Sequence, residues 1–497
     1  MIMGGEFMKK HNTFKVVLIT ILVFMLLTWI LPAAYYSNGY VDQGRVQMGI
    51  FDLFNYPITA LSYFGYITIF VLVVGGLYGV LNKISAYRVM LDKMVSKFKG
   101  KEKIVLSIIM VLLAVLTSVC GLQLGLIIFV PMLISIILLM GYDKVVAALT
   151  IVGSLMIGMA GSTFAYSNTN VLISALSIKI TTEMVSKIAI LVIGLVLLIF
   201  NTLTYAKKNK TVTSKKTTKA TKSSKTKKAA KEDNVIVETT DDEKYIPEKV
   251  TGKKKISILP ISIVLGLVFV ILVLAFISWS GAFNNKAFEN ATEAVTGFKI
   301  FGFTLFGKLL GSVNAFGAWS LSDMITVIAV AILVLAIIYK KSFDDVVDGF
   351  VSGAKKALAP AVMTVLIYTC LVVVTYHPFQ LVIYKAILGL TKGFNVFTTS
   401  IVAILASLFN ADASYVYQSA VPYITSIVTN TSNYSIIGLV FQSIYGLTML
   451  VAPTSLILMG VLTYLEIPYI KWLKTIWKLL VEFLVVLLII FTIVVLI

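Results

Sequence analysis

Three small-polar clusters interrupt apolar stretches of this 497-residue chain, and these are where its chemistry could lie. The first is Gly161-Ser162-Thr163, followed closely by Ser167-Asn168-Thr169-Asn170. The second is Pro453-Thr454-Ser455, and the third is the Asn410, Asp412 and Ser414 group of FNADASY. Ser118 adds one more hydroxyl, just before a polar tip in the first half. A helix interrupted inside a membrane exposes unpaired N–H and C=O groups, which survive only where they line protein or a water cavity. Half-helix N-termini then offer partial positive charge to a carboxylate, and freed carbonyls can hold a cation. A lone Ser or Thr can instead bond back to its own helix, and Gly161 or Pro453 can merely kink it. The density of the 161–170 cluster favours a binding site. Asp412 is the costliest residue in these stretches, and an intramembrane carboxylate is a functional candidate by default. The competing reading places it in a water-filled vestibule, where it only solvates a tip.

The elements that must carry these residues follow from composition. The chain is 59% hydrophobic and 13% charged, with a mean hydropathy of +0.96. Soluble domains hold about 25% charged residues. Apolar runs of membrane-crossing length recur, and in lipid they must be helices. The expected fold class is an all-α polytopic membrane protein. Full-length spans are expected near 14–31, 66–82, 186–206, 256–279, 322–339, 360–376 and 474–497. Two longer runs, 145–178 and 435–465, are broken mid-way. Two more, 104–140 and 396–428, bend around polar tips and read as re-entrant hairpins. The sum is about nine transmembrane helices plus two hairpins.

Charge orients the bundle. The net charge is +19, but the lysines sit in loops beside apolar spans, which argues against nucleic-acid binding. With the N-terminus cytoplasmic, 34 of the 42 Lys and Arg fall on the cytoplasmic side. The C-terminus then lies outside, and the protein is expected to be multi-pass in the cell inner (plasma) membrane. Cys120 and Cys370, both in apolar runs, exclude a disulfide framework, and His11 and His377 are too few for a metal cluster. Asp323 and Glu466 read as interfacial, and Arg45 and Arg88 lie in loops.

Three regions result: a first membrane half over 1–206 with inner hairpin 104–140, a Lys-rich linker over 207–255, and a second half over 256–497 with outer hairpin 396–428. The linker begins with a Lys/Thr/Ser-rich tract too polar to bury a core, and reads as a disordered cytoplasmic tether. Attraction to anionic headgroups is its sharper alternative. The halves repeat. Ser118 and Ser407 precede the two tips, Pro131 and Pro422 follow them, and Ser135 and Ser426 come four residues later. Upstream, 89–100 matches 382–393, both amphipathic and ending in Lys-Gly. Entering from opposite sides, the two series form an inverted repeat, a common plan of secondary carriers.

The closing segment 441–474 carries a further signal: Phe441-Gln442, Gly446, Pro453-Thr454-Ser455, Leu458-Met459, Ile467-Pro468-Tyr469 and Lys471-Trp472. This pattern resembles that of the YfcC / C4-dicarboxylate anaerobic carrier (DcuC-like) family. Ala160-Gly161-Ser162-Thr163, and Thr28-Trp29 followed by Pro32-Ala33, match it too. The resemblance implies a carboxylate carrier of the ion-transporter superfamily, with paired re-entrant hairpins and separate scaffold and transport parts. Members are associated with dicarboxylates, short-chain fatty acids or basic amino acids. The chain departs from the pattern at Asp412, Tyr415, Leu124-Gly125 and FAYSNTN, all near the expected site.

The expected function is secondary transport of a small carboxylate-bearing solute, an amino acid or a C4-dicarboxylate, by cation symport or exchange. Substrate-binding candidates are Ser118, Ser162, Thr163, Ser167, Asn168, Thr169, Asn170, Asn410, Asp412, Ser414, Thr454 and Ser455. No cofactor is expected beyond a coupling Na+ or H+. The partners are the small-molecule substrate and the lipid bilayer, with a homodimer left open. A channel is the alternative. An intramembrane enzyme ranks behind it, since HExxH, GxSxG and paired acids in one span are missing, and the lack of GxxxxGK[ST] argues against ATP-driven transport.

Overall fold

The computed structural model describes residues 12–223, 242–249, 256–311, 313–391 and 393–496, with side chains 210–223 and Glu243 left aside. The chain is an all-α polytopic membrane protein. Among the described residues, eight helices are long and apolar enough to cross a bilayer. Seven coincide with expected spans: α1 (Asn12–Ile30), α2 (Asp52–Asn82), α8 (Met184–Ser223), α9 (Leu259–Phe276), α10 (Leu321–Ile338), α11 (Phe343–Tyr376) and α17 (Tyr469–Leu496). The eighth, α4 (Glu102–Cys120), is the first limb of the inner hairpin. Large apolar side chains on α1, α9, α10 and α17 stay exposed, among them Leu18, Leu26, Leu267, Val270, Leu333 and Val485. In a bilayer this is the lipid-facing surface.

Two helices outrun their expected lengths. α2 has 31 residues and α11 has 34, about 46 and 51 Å at 1.5 Å per residue. Both exceed a hydrocarbon core of about 30 Å. The sequence reading stopped short because Asn55 and Pro57 open α2, while Asp344, Asp345, Lys355 and Lys356 occupy the first half of α11. The two pack along each other through glycines. A Cβ at Gly79 would lie 1.9 Å from the Gly349 carbonyl oxygen, and one at Gly353 would lie 2.1 Å from that of Gly75. Small residues at such spacing let backbones touch in lipid, where close packing replaces the hydrophobic effect as the glue.

The hairpins and broken spans lie beside this pair. α3 (Ser85–Lys97) leads into the inner hairpin, which runs through α4, a tip at 121–124, a short turn at Gly125–Phe129 and α5 (Val130–Leu139). α4 stops because Gly121 adopts φ +70° and returns its N–H to the Thr117 carbonyl at 3.0 Å. The first broken span is α6 (Lys144–Ala160) and α7 (Tyr166–Leu176). Asp143 caps α6 by accepting from the Val146 N–H at 2.9 Å. Every residue from Val145 to Ala160 is buried, so α6 is the central helix of the bundle. In the second half, α12 (Gln380–Leu388) precedes the outer hairpin of α13 (Val396–Phe409) and α14 (Ala413–Ile427). The second broken span is α15 (Tyr434–Thr448) and α16 (Leu456–Tyr464). The order of arm, hairpin and broken span thus occurs twice. Asp323 closes a capping box with Ser320 at the start of α10.

Two stretches depart from expectation around the linker. α8 continues past residue 206 to Ser223. Farther on, 242–249 packs against the bundle and is not a wholly solvated tether: Pro247 is buried and Tyr245 and Ile246 are half-buried. Only the YIP run within an otherwise charged stretch distinguishes it.

Candidate functional site

The first break leaves the carbonyls at the end of α6 without helical partners, and side chains from both halves take them. The Ser118 hydroxyl, from the inner hairpin, donates to the Gly161 carbonyl at 2.7 Å. Gln442 Nε2 donates to the Ser162 carbonyl at 2.8 Å, and the Ser443 hydroxyl to that of Ala160 at 2.9 Å, both from α15. In return the Thr163 N–H donates to the Ser118 carbonyl at 2.8 Å, and the two hydroxyls lie 3.1 Å apart. Gly446 permits this approach, since a Cβ there would sit 2.4 Å from the Ala160 nitrogen. Hairpin, break and α15 are therefore one hydrogen-bonded unit. Replacing Ser118 with Ala should lower the unfolding free energy by about 1–2 kcal/mol, because the Gly161 carbonyl loses its donor in a water-poor site. A thermal melt of purified protein, alongside a Ser107→Ala control on the exposed face of α4, reads this out.

Asn168 makes a paired amide contact with Gln123 of the inner tip, with Nε2 of Gln123 to Oδ1 at 2.7 Å and Nδ2 to Oε1 at 2.9 Å. The Ser162 hydroxyl is buried with no hydrogen-bond partner among the described residues. Thr169 bonds back to the Ala165 carbonyl at 3.1 Å, the local alternative weighed for such residues. Asn170 accepts from the N–H of its own neighbour Val171 at 2.7 Å. Ser167 is exposed beside Gly121, whose absent side chain leaves it room.

The second break is tied down in the same fashion. The Trp472 indole donates to the Leu450 carbonyl at 2.8 Å, and the Tyr469 hydroxyl donates to that of Val451. Thr454 donates to the Leu408 carbonyl at 3.0 Å, which joins this break to the outer hairpin as Ser118 joins the first to the inner one. Ser455 is the N-cap of α16. Asp412 is the N-cap of α14, with one carboxylate oxygen accepting from the Ser414 N–H at 2.8 Å. Asn410 turns toward the arm, donating to Gln380 Oε1 at 3.2 Å and to the Ala406 carbonyl at 2.9 Å.

A cavity of about 30 Å3 lies where the two tips, the last turn of α6 and the second break converge. Its walls come from Gln123 and Leu124 of the inner tip, Ala411 and Asp412 of the outer tip, Met156 and Met159 of α6, Tyr368 of α11, Tyr445 and Met449 around the end of α15, and Ser455 to Ile457. Of the residues named from sequence, Asp412 and Ser455 line it; the remainder support the breaks and tips around it or face elsewhere. Among the described residues, Asp412 is the one charged group in that lining, which holds neither Lys nor Arg. Its volume has room for only a water or two, far less than a small organic solute needs. Leu456 and Ile457 also line a larger cavity of about 320 Å3, which lies between the α2/α11 pair and the α5 and α16 side and reaches Lys83, Lys244, Glu248 and Lys356.

Gln123, Gln442, Ser443, Tyr368 and Tyr445 were not among the residues named from sequence. Gln442 stood in the quoted Phe-Gln pair, and an amide within an apolar run is a signal of its own. The tyrosines carry no such mark, because aromatic residues are common packing groups.

A family profile described as C4-dicarboxylate anaerobic carrier (DcuC) matches residues 11–497. A Haemophilus influenzae (strain ATCC 51907 / DSM 11121 / KW20 / Rd) protein described as uncharacterized is 28% identical over 144 residues, which is 29% of this chain and 28% of that protein's length. Among solved structures, the Alcanivorax borkumensis YdaH transporter, whose crystal structure is described as revealing an unusual topology, aligns over 96% of this chain and 98% of its own. That alignment has 13% identity and a TM-score of 0.39.

Proposed function

The chain belongs to the C4-dicarboxylate anaerobic carrier family, and from that premise we propose that it is a secondary carrier of a small carboxylate-bearing solute, with an amino acid as its substrate. One observation carries the choice of substrate. Asp412 is the charged group of the central cavity, and among the described residues no Lys or Arg lines that cavity with it. A dicarboxylate would bring two negative charges toward a third with no cation to balance them. The ammonium of an amino acid pairs with Asp412, while its carboxylate accepts from the Tyr368 or Tyr445 hydroxyl, the Gln123 amide or the N-terminal end of α16. Asp412 then serves as the cation-selective pole of the site.

The second reading is a C4-dicarboxylate carrier, favoured by the family's own description. In that reading Asp412 takes a Na+ or H+ that accompanies the anion. A panel of radiolabelled amino acids and C4-dicarboxylates in proteoliposomes, with and without Na+ and pH gradients, separates the two. Uptake of succinate or fumarate but of no amino acid ends the first reading. Counter-solute dependence distinguishes either from a channel.

The lysine distribution supports a cytoplasmic N-terminus and an outward-facing loop between α14 and α15. A cysteine at Ser432, which is exposed in the Thr431–Asn433 turn, should react with an impermeant maleimide from outside intact cells. Reaction only in inverted vesicles would reverse this orientation.

A further inference from the structure

The segment Asp242–Lys249 lies at the mouth of the 320 Å3 cavity, and its hold there is specific. The Ser135 hydroxyl, on α5, donates to the Tyr245 carbonyl at 2.7 Å. Arg88 of α3, buried and held by Asp92 at 3.0 Å, donates to the Pro247 carbonyl. Lys244 pairs with Glu466 beyond the end of α16, and Lys144 at the start of α6 lies 3.8 Å from Asp242. The Tyr245 ring packs on Tyr464 with centroids 5.6 Å apart. Every one of these anchors stands on an arm, hairpin or broken span. The facing wall of the cavity is the α2/α11 pair, with Asn82, Lys83 and Lys356 near the mouth.

Leu456 and Ile457 line both this cavity and the central one, so a solute that parts this shared wall moves from the central site toward this face. A solute leaving the central cavity by this route meets Tyr245, Ile246 and Pro247 before it meets water. Among the described residues these contacts include two hydrogen bonds to backbone carbonyls, one ring pair and two ion pairs, and both ion pairs are partly exposed. Contacts of this kind can open locally without unfolding the bundle.

We infer that Asp242–Lys249 is an intrinsic plug, an autoinhibitory strap that closes the cytoplasmic mouth of the solute pathway and must let go for transport to proceed at full rate. The inference rests on the carrier reading and adds a gate to it. Whatever draws the linker away from the bundle would open the pathway, and the plug would reseat when the linker relaxes. The Lys244–Glu466 pair is the electrostatic latch, and the Tyr245 ring is the stopper.

The test uses the full chain in inverted vesicles, with a reporter cysteine at Gly460. That position lines the passage, and a Cβ there meets nothing within 4 Å. Cys120 and Cys370 are buried, and the unaltered chain supplies their background. Lys244→Glu and Tyr245→Ala should each speed maleimide labelling at position 460 by about three- to tenfold, and raise the initial transport rate in proportion. The Lys244→Glu/Glu466→Lys double variant should restore slow labelling, which separates loss of the latch from loss of folding. Faster labelling in vesicles that move no tested solute upholds the plug and removes the carrier reading. Labelling at the unaltered rate in both single variants overturns the plug, as does faster labelling with an unchanged rate in vesicles that do transport.

Discussion

An Asp412→Asn carrier should lose at least about 100-fold of its uptake of a zwitterionic or cationic substrate, since removing one member of a desolvated charge pair costs about 3–5 kcal/mol. The substitution isolates charge from fold. Asp412 caps α14 through the Ser414 N–H, and Asn is an equally good cap of the same size. The helix should therefore start where it does now, and the protein should melt at nearly the same temperature. What disappears is the negative pole of the central cavity. Initial rates of amino-acid uptake, measured with and without Na+ and at several pH values, read the loss directly. Normal uptake with unchanged ion and pH dependence would leave Asp412 as a cap alone and end the amino-acid reading. Loss of Na+ or H+ dependence with dicarboxylate uptake intact would shift the weight to the second reading.

The second large effect is structural. Gly79→Val should abolish recovery of folded, monodisperse protein, because the first added carbon would lie 1.9 Å from the Gly349 carbonyl oxygen. Neither backbone can retreat, since Gly353 meets Gly75 one turn away in the same way. Overpacking of a close helix contact costs about 1–3 kcal/mol where side chains can yield, and more where only backbone is available. Gly266→Val on α9 is the matched control, for a Cβ there meets nothing within 4 Å. Gel filtration of both variants in mild detergent separates them. If Gly79→Val behaves as Gly266→Val does, the α2/α11 contact is not the rigid wall described above.

What the sequence could reveal divides along physical lines. Membrane helices announce themselves through length and apolarity, so seven spans and both breaks could be placed from composition alone. Gly161 and Pro453 marked where the two long runs are interrupted, because helix-breaking residues in an apolar run point either to a stop or to a kink. Partners of the exposed backbone were less legible. Ser118 was named for its position before a tip, whereas Gln442 and Gln123, which meet the Ser162 carbonyl and Asn168, needed the folded geometry. Asp412 was named for its charge in an apolar run, whereas its N-cap contact with Ser414 needed the folded geometry. The front halves of α2 and α11 were missed because Asn55 and Pro57 in one and Asp344, Asp345, Lys355 and Lys356 in the other interrupt the apolar pattern. The packed segment 242–249 has no periodic pattern, and only its contacts set it apart from the charged tract before it.

One consequence of the cavity's charge concerns the membrane voltage. Whatever motion carries the site from one face to the other moves the Asp412 carboxylate through part of the transmembrane field. A full crossing of one charge is worth about 2.3 kcal/mol per 100 mV. An empty site is then net negative, and an interior-negative potential holds it facing outward, ready to load. Binding a zwitterion leaves that net charge unchanged, so the loaded and empty forms feel the same voltage and exchange is electrically silent. Binding Na+ or H+ at Asp412 cancels the charge, and only the empty return is then driven by voltage. Valinomycin-set potassium gradients across proteoliposomes would tell these apart, since zwitterion exchange should ignore the gradient while cation-coupled uptake should quicken as the interior becomes negative.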